Sequence, residues 1–381
     1  MPKEASQRPL KILQIVLSLE PGGMENGVVS IANGLDPQLF ETSICCIERT
    51  GEFAQRLRPS IDVTTLNKPP GFRFQAVREL AALIRTEAPD VLHTHNLGPL
   101  IYAAAARAIS PRLWRTPILH GEHGALQGDS LHPRRLRQRR LLYRLCKLIH
   151  TVSSGLRKEL IDRGLPASKI IPLLNGVDAQ RFAPPTDKAI AKRTLGLPSD
   201  RPVIGTVGRF IATKRHELTI QAFERLASTP TSPHLIMVGD GGSEKHRIHN
   251  LAASSPCIDR IHLLGHMSDP SPAYQAMDLL VMPSSHEGLA NALLESMASG
   301  VPVLAHSACG AGEVITSGVN GTLVDIQTAA DLADAIEALI TDKSTLERLA
   351  ATALTDAQQR FSVDAMVAGY SDAYRRCCNG A

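Results

Sequence analysis

At 381 residues the chain exceeds one ordinary hydrophobic core, so two domains are expected. Its 43% hydrophobic content excludes a disordered protein, and 41 Lys+Arg against 37 Asp+Glu excludes a dedicated nucleic-acid binder while allowing local basic patches. Seven cysteines without a CxxC pair point away from a zinc ribbon or a secreted disulfide framework and toward a reducing cytoplasm. The N-terminal apolar run alternates like a strand and ends in Pro-Gly-Gly without a small-residue cleavage site. No apolar stretch approaches the ~20 residues that cross a bilayer.

Short apolar runs alternate with segments of helical period, the pattern of a parallel sheet covered by helices on both faces. Strands are predicted at 11–19, 42–48, 90–95, 116–121, 148–153 and 169–175. Between them FRFQAVRELAALIRTEAP places Phe74, Val77, Leu80, Ala81 and Ile84 on one helical face. Segment 134–150, RRLRQRRLLYRLCKLIH, carries Arg137, Arg140, Arg144 and Lys147 at helical spacing beside Leu141, Leu145, Leu148 and Ile149. Such a helix suits a solvated basic face equally with an anionic membrane surface, met through 134–149, or an acidic acceptor.

Residues 176–200, rich in Pro and polar side chains, read as an interdomain connection. Strands resume at 202–208, 234–240, 260–265, 278–284 and 301–306, and SVDAMVAGYSDAYRRCC closes the chain as a helix. The expected division is therefore 1–175 as an N-terminal domain, 176–200 as connection, 201–360 as a C-terminal domain, and 361–381 as a helix packing back on the first domain. The fold class is α/β, two doubly wound Rossmann-like domains facing each other across a cleft. Ligands of such sheets bind beyond the carboxyl ends of the strands.

Several residues there could do chemistry. In VGRFIATKRHE a strand ends at Gly208, and Arg209 and Lys214 follow, suited to a diphosphate as a fork and a point charge or else to plain solvation. Gly22 and Gly23 stand between the first strand and an amphipathic helix, where they form a tight turn or let the backbone and a helix N-terminus approach an anion. His93, His95, His120, Glu122 and His123 cluster at two strand ends and could line a cleft or, less simply, hold a metal. In PSSHEGLANALLESMASGVPVLA two glutamates, Glu287 and Glu295, sit among small and apolar residues, although carboxylates are seldom buried without a partner.

HEGLANALLESMASGVPVLA resembles the E-x7-E signature of the retaining glycosyltransferases of family four, which have the GT-B fold. PGGMENGV, VLHTHN, HGEHG, NGVDAQRF, VGRFIATK, VGDG, LLGH and GAGEVI follow that family's order along nearly the whole chain. GGMENG, HGEHG and FSVDAMVAGYSDAY are similar to sugar transferases of bacterial exopolysaccharide loci. The resemblance implies metal-independent transfer of a sugar from a UDP- or GDP-linked donor to a growing or lipid-linked glycan, with no cofactor. Arg209 and Lys214 would neutralise the leaving pyrophosphate. Glu287 would take sugar hydroxyls, with the amides of Gly288, Leu289 and Ala290 facing sugar and phosphate, and Glu295 would take the ribose. Gly22 and Gly23 would approach the phosphates or the sugar, and backbone near Gly265 the base. His123 matches the histidine beside the reacting centre and is read as a positioning or electrostatic residue, not a firm general base. One departure is Cys309, where the family often has the first of two glycines before a later glutamate, here Glu313. Gly310 is retained, and Glu313 is read as structural.

Three rivals remain: a nucleotide-sugar 2-epimerase of the same architecture, a metal-dependent hydrolase built on the histidines, and a nucleotide-sugar-binding protein without catalysis. The implied location is the cytoplasm, peripheral on the inner face of the membrane.

Overall fold

The computed structural model describes residues 8–124, 126, 128–226, 229–307 and 310–379. They form two compact units, one running to Asn175 and completed by Val363 onward, the other Gly176–Ser362.

The first unit holds β1 (Leu10–Val16), α1 (Gly23–Gly34), β2 (Phe40–Cys46), β3 (Asp62–Thr65), α2 (Phe74–Glu87), β4 (Val91–His95), α3 (Leu97–Ala108), β5 (Ile118–Glu122), α4 (Pro133–Leu145), β6 (Leu148–Thr151), α5 (Ser154–Asp162) and β7 (Ile170–Pro172). The sheet order is β3-β2-β1-β4-β5-β6-β7 with every pair parallel. All five residues of β4 and of β5 are buried, as a sheet covered on both faces demands.

The second unit holds α6 (Lys188–Thr194), β8 (Val203–Val207), α7 (His216–Leu226), β9 (His234–Val238), α8 (Lys245–Ser254), β10 (Ile261–Gly265), α9 (Ser271–Ala276), β11 (Leu279–Met282), α10 (Asn291–Ala298), β12 (Val303–His306), β13 (Thr322–Val324), α11 (Ala329–Thr341) and α12 (Lys343–Gln359). Its sheet, also parallel, runs β10-β9-β8-β11-β12-β13. The strand order therefore reverses beside β1 in one sheet and beside β8 in the other. Loops leaving the strands on either side of such a reversal diverge and leave a crevice.

The last helix, α13 (Val363–Cys378), belongs to the first unit, where Met366, Tyr370 and Tyr374 share a core with Ile12, Phe40, Val91 and Leu119. Residues 176–200, expected as a connection, lie in the second unit and contain α6. There Lys192 is buried and pairs with Asp278 at 2.7 Å. The basic helix is shorter than expected: α4 stops at Leu145, Cys146 caps it in an extended conformation, and Leu148 and Ile149 are buried in β6. Lys147 is therefore off the helix.

Glycines at two crossings let the second unit's loops close on one another. Gly239 has φ +142°, and a Cβ there would overlap the carbonyl of Gly208; a Cβ at Gly310 would overlap the carbonyl of Gly288. Gly239→Ala is expected to lower stability by roughly 1–3 kcal/mol from the backbone conformation alone, and more from the overlap. Urea unfolding measures it, and an unchanged midpoint would contradict the crossing.

Candidate active site

In the second unit the site grows from the two strands flanking the reversal. After β8 the chain turns through Gly208, whose φ of +146° favours glycine, and Arg209 points out, exposed and without a side-chain partner among the described residues. Phe210, 1% exposed, anchors the loop below. His216 is buried at the start of α7, its Nε2 3.2 Å from the Arg209 carbonyl and its Nδ1 3.4 Å from Thr206 Oγ1. Burial first, then the charge of Lys214, pushes its pKa down to about 4, so it serves as a neutral strut. Arg215 takes a left-handed conformation, φ +52°, and its guanidinium donates to the carbonyls of Ile326 at 2.9 Å and Gln327 at 3.3 Å.

These struts present Lys214 to the loop after β11. Ser285 N–H donates to the Thr213 carbonyl at 2.9 Å, stitching the loops together, and Lys214 Nζ pairs with Glu287 Oε1. The two side chains are only 17% and 14% exposed. Glu287 and Gly288 are backed by Gly310, which approaches their carbonyls more closely than any Cβ would allow. Cys309 lies outside the described residues. Gly288, Leu289 and Ala290 lead into α10, and Leu289 and Ala290 are buried. Glu295, on the second turn of α10, accepts a hydrogen bond at 2.8 Å from the hydroxyl of Tyr274, a buried residue of α9. Gly265 ends β10 with φ +69°; a Cβ there would meet nothing, and its carbonyl accepts from Gly239 N–H at 2.8 Å. Lys214 and Glu287 thus meet at one switch point, with Arg209 on the same loop as Lys214, while Glu295 and Gly265 are set by their own elements.

In the first unit Gly22 caps α1 in an extended conformation, φ −171°, with Gly23 the first helical residue. A Cβ at Gly22 would overlap the carboxylate of Glu25, in the first turn of α1. A carboxylate at a helix N-terminus is stabilised by the dipole but repels a second anion.

Strand alternation sorts the histidines onto two faces. On one, Thr94 Oγ1 meets His120 Nδ1 at 2.9 Å, and Glu122 accepts from Arg139 at 2.8 Å and Tyr143 at 2.6 Å, both of α4. Burial would raise the Glu122 carboxyl, but His120 and Arg139 outweigh it and hold it at about 2. The other face carries His93, His95, His123 and His150. His93 Nδ1 lies 2.9 Å from Tyr374 OH and its Nε2 2.9 Å from His150 Nε2, while His150 Nδ1 lies 3.3 Å from Tyr370 OH. His95 Nδ1 is 2.9 Å from His123 Nε2, and its Nε2 is 3.1 Å from Gln14 Oε1. Gly121 opens the space for these rings, since a Cβ there would overlap His150 Nε2.

The five residues from which a metal hydrolase might be built are therefore not assembled: His120 and Glu122 face away from His93, His95 and His123. Nitrogens of His93, His95 and His150 do lie within 4.8 Å of one another. All six of their ring nitrogens are already hydrogen-bonded, so a metal ion would have to displace those bonds. The sequence reading missed His150, Gln14, Tyr274, Arg215 and His216. Their types carry no motif, and only the tertiary fold delivers them.

Residues 21–181 match the family model described as Glycosyltransferase Family 4, and residues 187–355 match Glycosyl transferases group 1. A lipopolysaccharide core biosynthesis glycosyltransferase, LpsE of Rhizobium meliloti, is 35% identical over 48% of this chain, a stretch spanning about half (52%) of that relative. A D-inositol 3-phosphate glycosyltransferase of Stackebrandtia nassauensis is 29% identical over 94% of this chain and 88% of its own. Among solved structures, Anabaena HepE in complex with UDP-glucose superposes with a TM-score of 0.83 at 24% identity, over 96% of this chain and 99% of that one. That likeness shows a shared two-domain GT-B fold.

The buried histidines make acid a stress on the first unit. His93, His95 and His150, all 0% exposed, are held well below 6.5 by burial first and then by neighbouring histidines. Below pH 6.5 the unfolded chain binds protons that the folded chain refuses, so their contribution is complete above that pH and lost as pH falls. Each costs up to about 1.4 kcal/mol per pH unit. Urea unfolding should therefore show lower stability at pH 5.5 than at pH 7.5; equal stability at both would contradict it.

Proposed function

Since the chain is a glycosyltransferase of the group 1 and family 4 kind, we propose that it moves a sugar from a nucleoside diphosphate donor to a growing or lipid-linked glycan, retaining the anomeric configuration and using no metal ion. The observation that carries this reading is the switch point of the second sheet. There Arg209, exposed and without a side-chain partner among the described residues, shares a loop with Lys214, whose ammonium is held by Glu287. Arg209 and Lys214 meet the diphosphate, whose charge grows as the bond from the anomeric carbon to phosphate oxygen breaks, so both act most strongly in the transition state. Fixed cations there do the work a metal ion would otherwise do.

On donor binding Glu287 exchanges part of its contact with Lys214 for sugar hydroxyls, alongside the backbone of Gly288, Leu289 and Ala290. Glu295, aimed by Tyr274, takes the ribose hydroxyls, and backbone near Gly265 takes the base. The acceptor oxygen forms the new bond on the face the phosphate leaves, and its proton passes to the departing phosphate oxygen. In the first unit His123 and the loop at Gly22 and Gly23 take sugar hydroxyls. The UDP-glucose complex of HepE supports a uridine donor by fold, and the name of LpsE supports cell-surface polysaccharide synthesis as the setting.

Turnover of a nucleotide sugar with EDTA present, with the product anomer read by NMR, tests the reading. Retained configuration is expected, and activity abolished by EDTA and restored by a divalent ion would contradict it. Lys214→Ala should lower kcat at saturating donor by about 10²–10³-fold, while Glu295→Ala should chiefly raise donor KM. An unchanged kcat for Lys214→Ala would remove its phosphate role.

A membrane partner is proposed for the first unit, placing the protein on the inner face of the cytoplasmic membrane. No helix among the described residues is long and apolar enough to cross a bilayer. On α4, Arg137, Arg140 and Arg144 are exposed, with Leu141 57% and Leu145 44% exposed beside them. Arg107 donates to the carbonyls of Leu145 at 3.3 Å and Trp114 at 2.7 Å, setting the chain's single tryptophan, 58% exposed, next to the helix end. Cations around apolar and indole groups fit an anionic bilayer surface. Trp114 emission should shift to the blue with phosphatidylglycerol vesicles and not with phosphatidylcholine vesicles. The triple change of Arg137, Arg140 and Arg144 to Gln should abolish the shift, and no shift in the unaltered protein would remove the surface.

A further inference from the structure

His123 is not alone on its face of the first sheet. Behind it stand His95, from the end of β4, and Gln14, from the middle of β1, both 0% exposed. The Gln14 amide nitrogen points to the Val28 carbonyl of α1 at 3.5 Å, which turns Oε1 toward His95 Nε2 at 3.1 Å. A carbonyl oxygen can only accept, so the proton of that bond sits on His95 Nε2. No carboxylate is bonded to His95 among the described residues. It is ringed instead by His93, His123 and His150, with centroids at 4.0, 5.1 and 6.4 Å, so a second proton would create an uncompensated buried charge. His95 Nδ1 is therefore a lone pair. It faces His123 Nε2 at 2.9 Å, which requires the proton of the second bond to sit on His123 Nε2. His123 Nδ1 is left bare, and it has no protein partner among the described residues.

We propose that Gln14 and His95 are positioning residues that hold His123 in its Nε2–H tautomer, so that its remaining nitrogen, Nδ1, meets the substrate as a hydrogen-bond acceptor for a sugar hydroxyl. This rests on the glycosyltransferase reading and makes one part of it specific. The backbone is held as tightly as the ring, since His123 N–H donates to Asn96 Oδ1 at 3.3 Å and Asn96 N–H to the Gly121 carbonyl at 2.7 Å. An acceptor selects hydroxyl-bearing sugars, because a deoxy analogue leaves Nδ1 unpaired in a desolvated site. Burial first, with the opposing pull of Glu122 and the push of His120, holds His123 at about 4, so at neutral pH it accepts a hydrogen bond without taking the proton.

The test is long-range nitrogen-15 NMR on the full chain without ligand, with the His123 signals assigned by their loss in His123→Asn. The expected spectrum shows a protonated Nε2 and a bare Nδ1 at pH 7.5. A proton on Nδ1, or on both nitrogens, would overturn the proposal whatever the activity. Gln14→Leu removes the accepting oxygen and frees His95 to exchange its proton. His123 should then show mixed tautomers, and kcat should fall about tenfold, the size of one lost hydrogen bond, with donor KM nearly unchanged. A folded Gln14→Leu protein with unchanged kcat would overturn the positioning role. If the wild-type tautomer is as expected but no nucleotide sugar is turned over, the functional reading fails and the hydrogen-bond relay stands.

Discussion

The contact between Lys214 and Glu287 is the constraint on which the second unit's site depends. Each side chain lies on the loop after a different strand beside the point where sheet order reverses, and those loops pack closely at crossings that Gly239 and Gly310 permit. A partly buried ion pair contributes little net stability, because desolvation offsets most of its attraction. Its value is in placement: a cation and an acceptor are fixed side by side, the pair that the proposed function sets against a phosphate and a sugar. Arg209, exposed on the same loop as Lys214, carries a charge that no side chain among the described residues matches.

The first unit solves a different problem. Four histidines fill one face of its sheet, and a core histidine without a partner is costly, so Tyr370 and Tyr374 of α13 and Gln14 of β1 pair with their rings. The last helix of the chain thus completes the first unit's polar core as well as its apolar one. Ordering the rings makes that unit acid-sensitive and also fixes which nitrogen of His123 faces outward. Stability and chemistry are set by the same hydrogen bonds.

Much of this was legible in the sequence, because the signals were periodic or ordered. The apolar runs marked eleven of the thirteen strands among the described residues. Two were missed: β3, DVTT, and β13, TLV, edge strands too short to alternate visibly. The helix read through 134–150 ran five residues too far, since the apolar residues at Leu148 and Ile149 fit helix and strand alike. The glutamates of HEGLANALLES were found by spacing, but their partners were not. Lys214 and Tyr274 are 73 and 21 residues away, a contact that no local pattern encodes. HxH and HGEHG suggested one cluster, and alternation across the sheet divides it in two. Segment 176–200 read as a connection by composition, yet buried Lys192 binds it into the second unit.

The central claim is that the switch point of the second sheet is built for a nucleoside diphosphate sugar. Isothermal calorimetry of the full chain with UDP-glucose, GDP-mannose and the matching free diphosphates, with EDTA present throughout, tests it most directly. The account predicts that at least one pair binds, and that affinity falls with rising salt as the Arg209 and Lys214 contacts to phosphate are screened. Binding that appears only when a divalent ion is added, or no binding by any nucleotide, would contradict it.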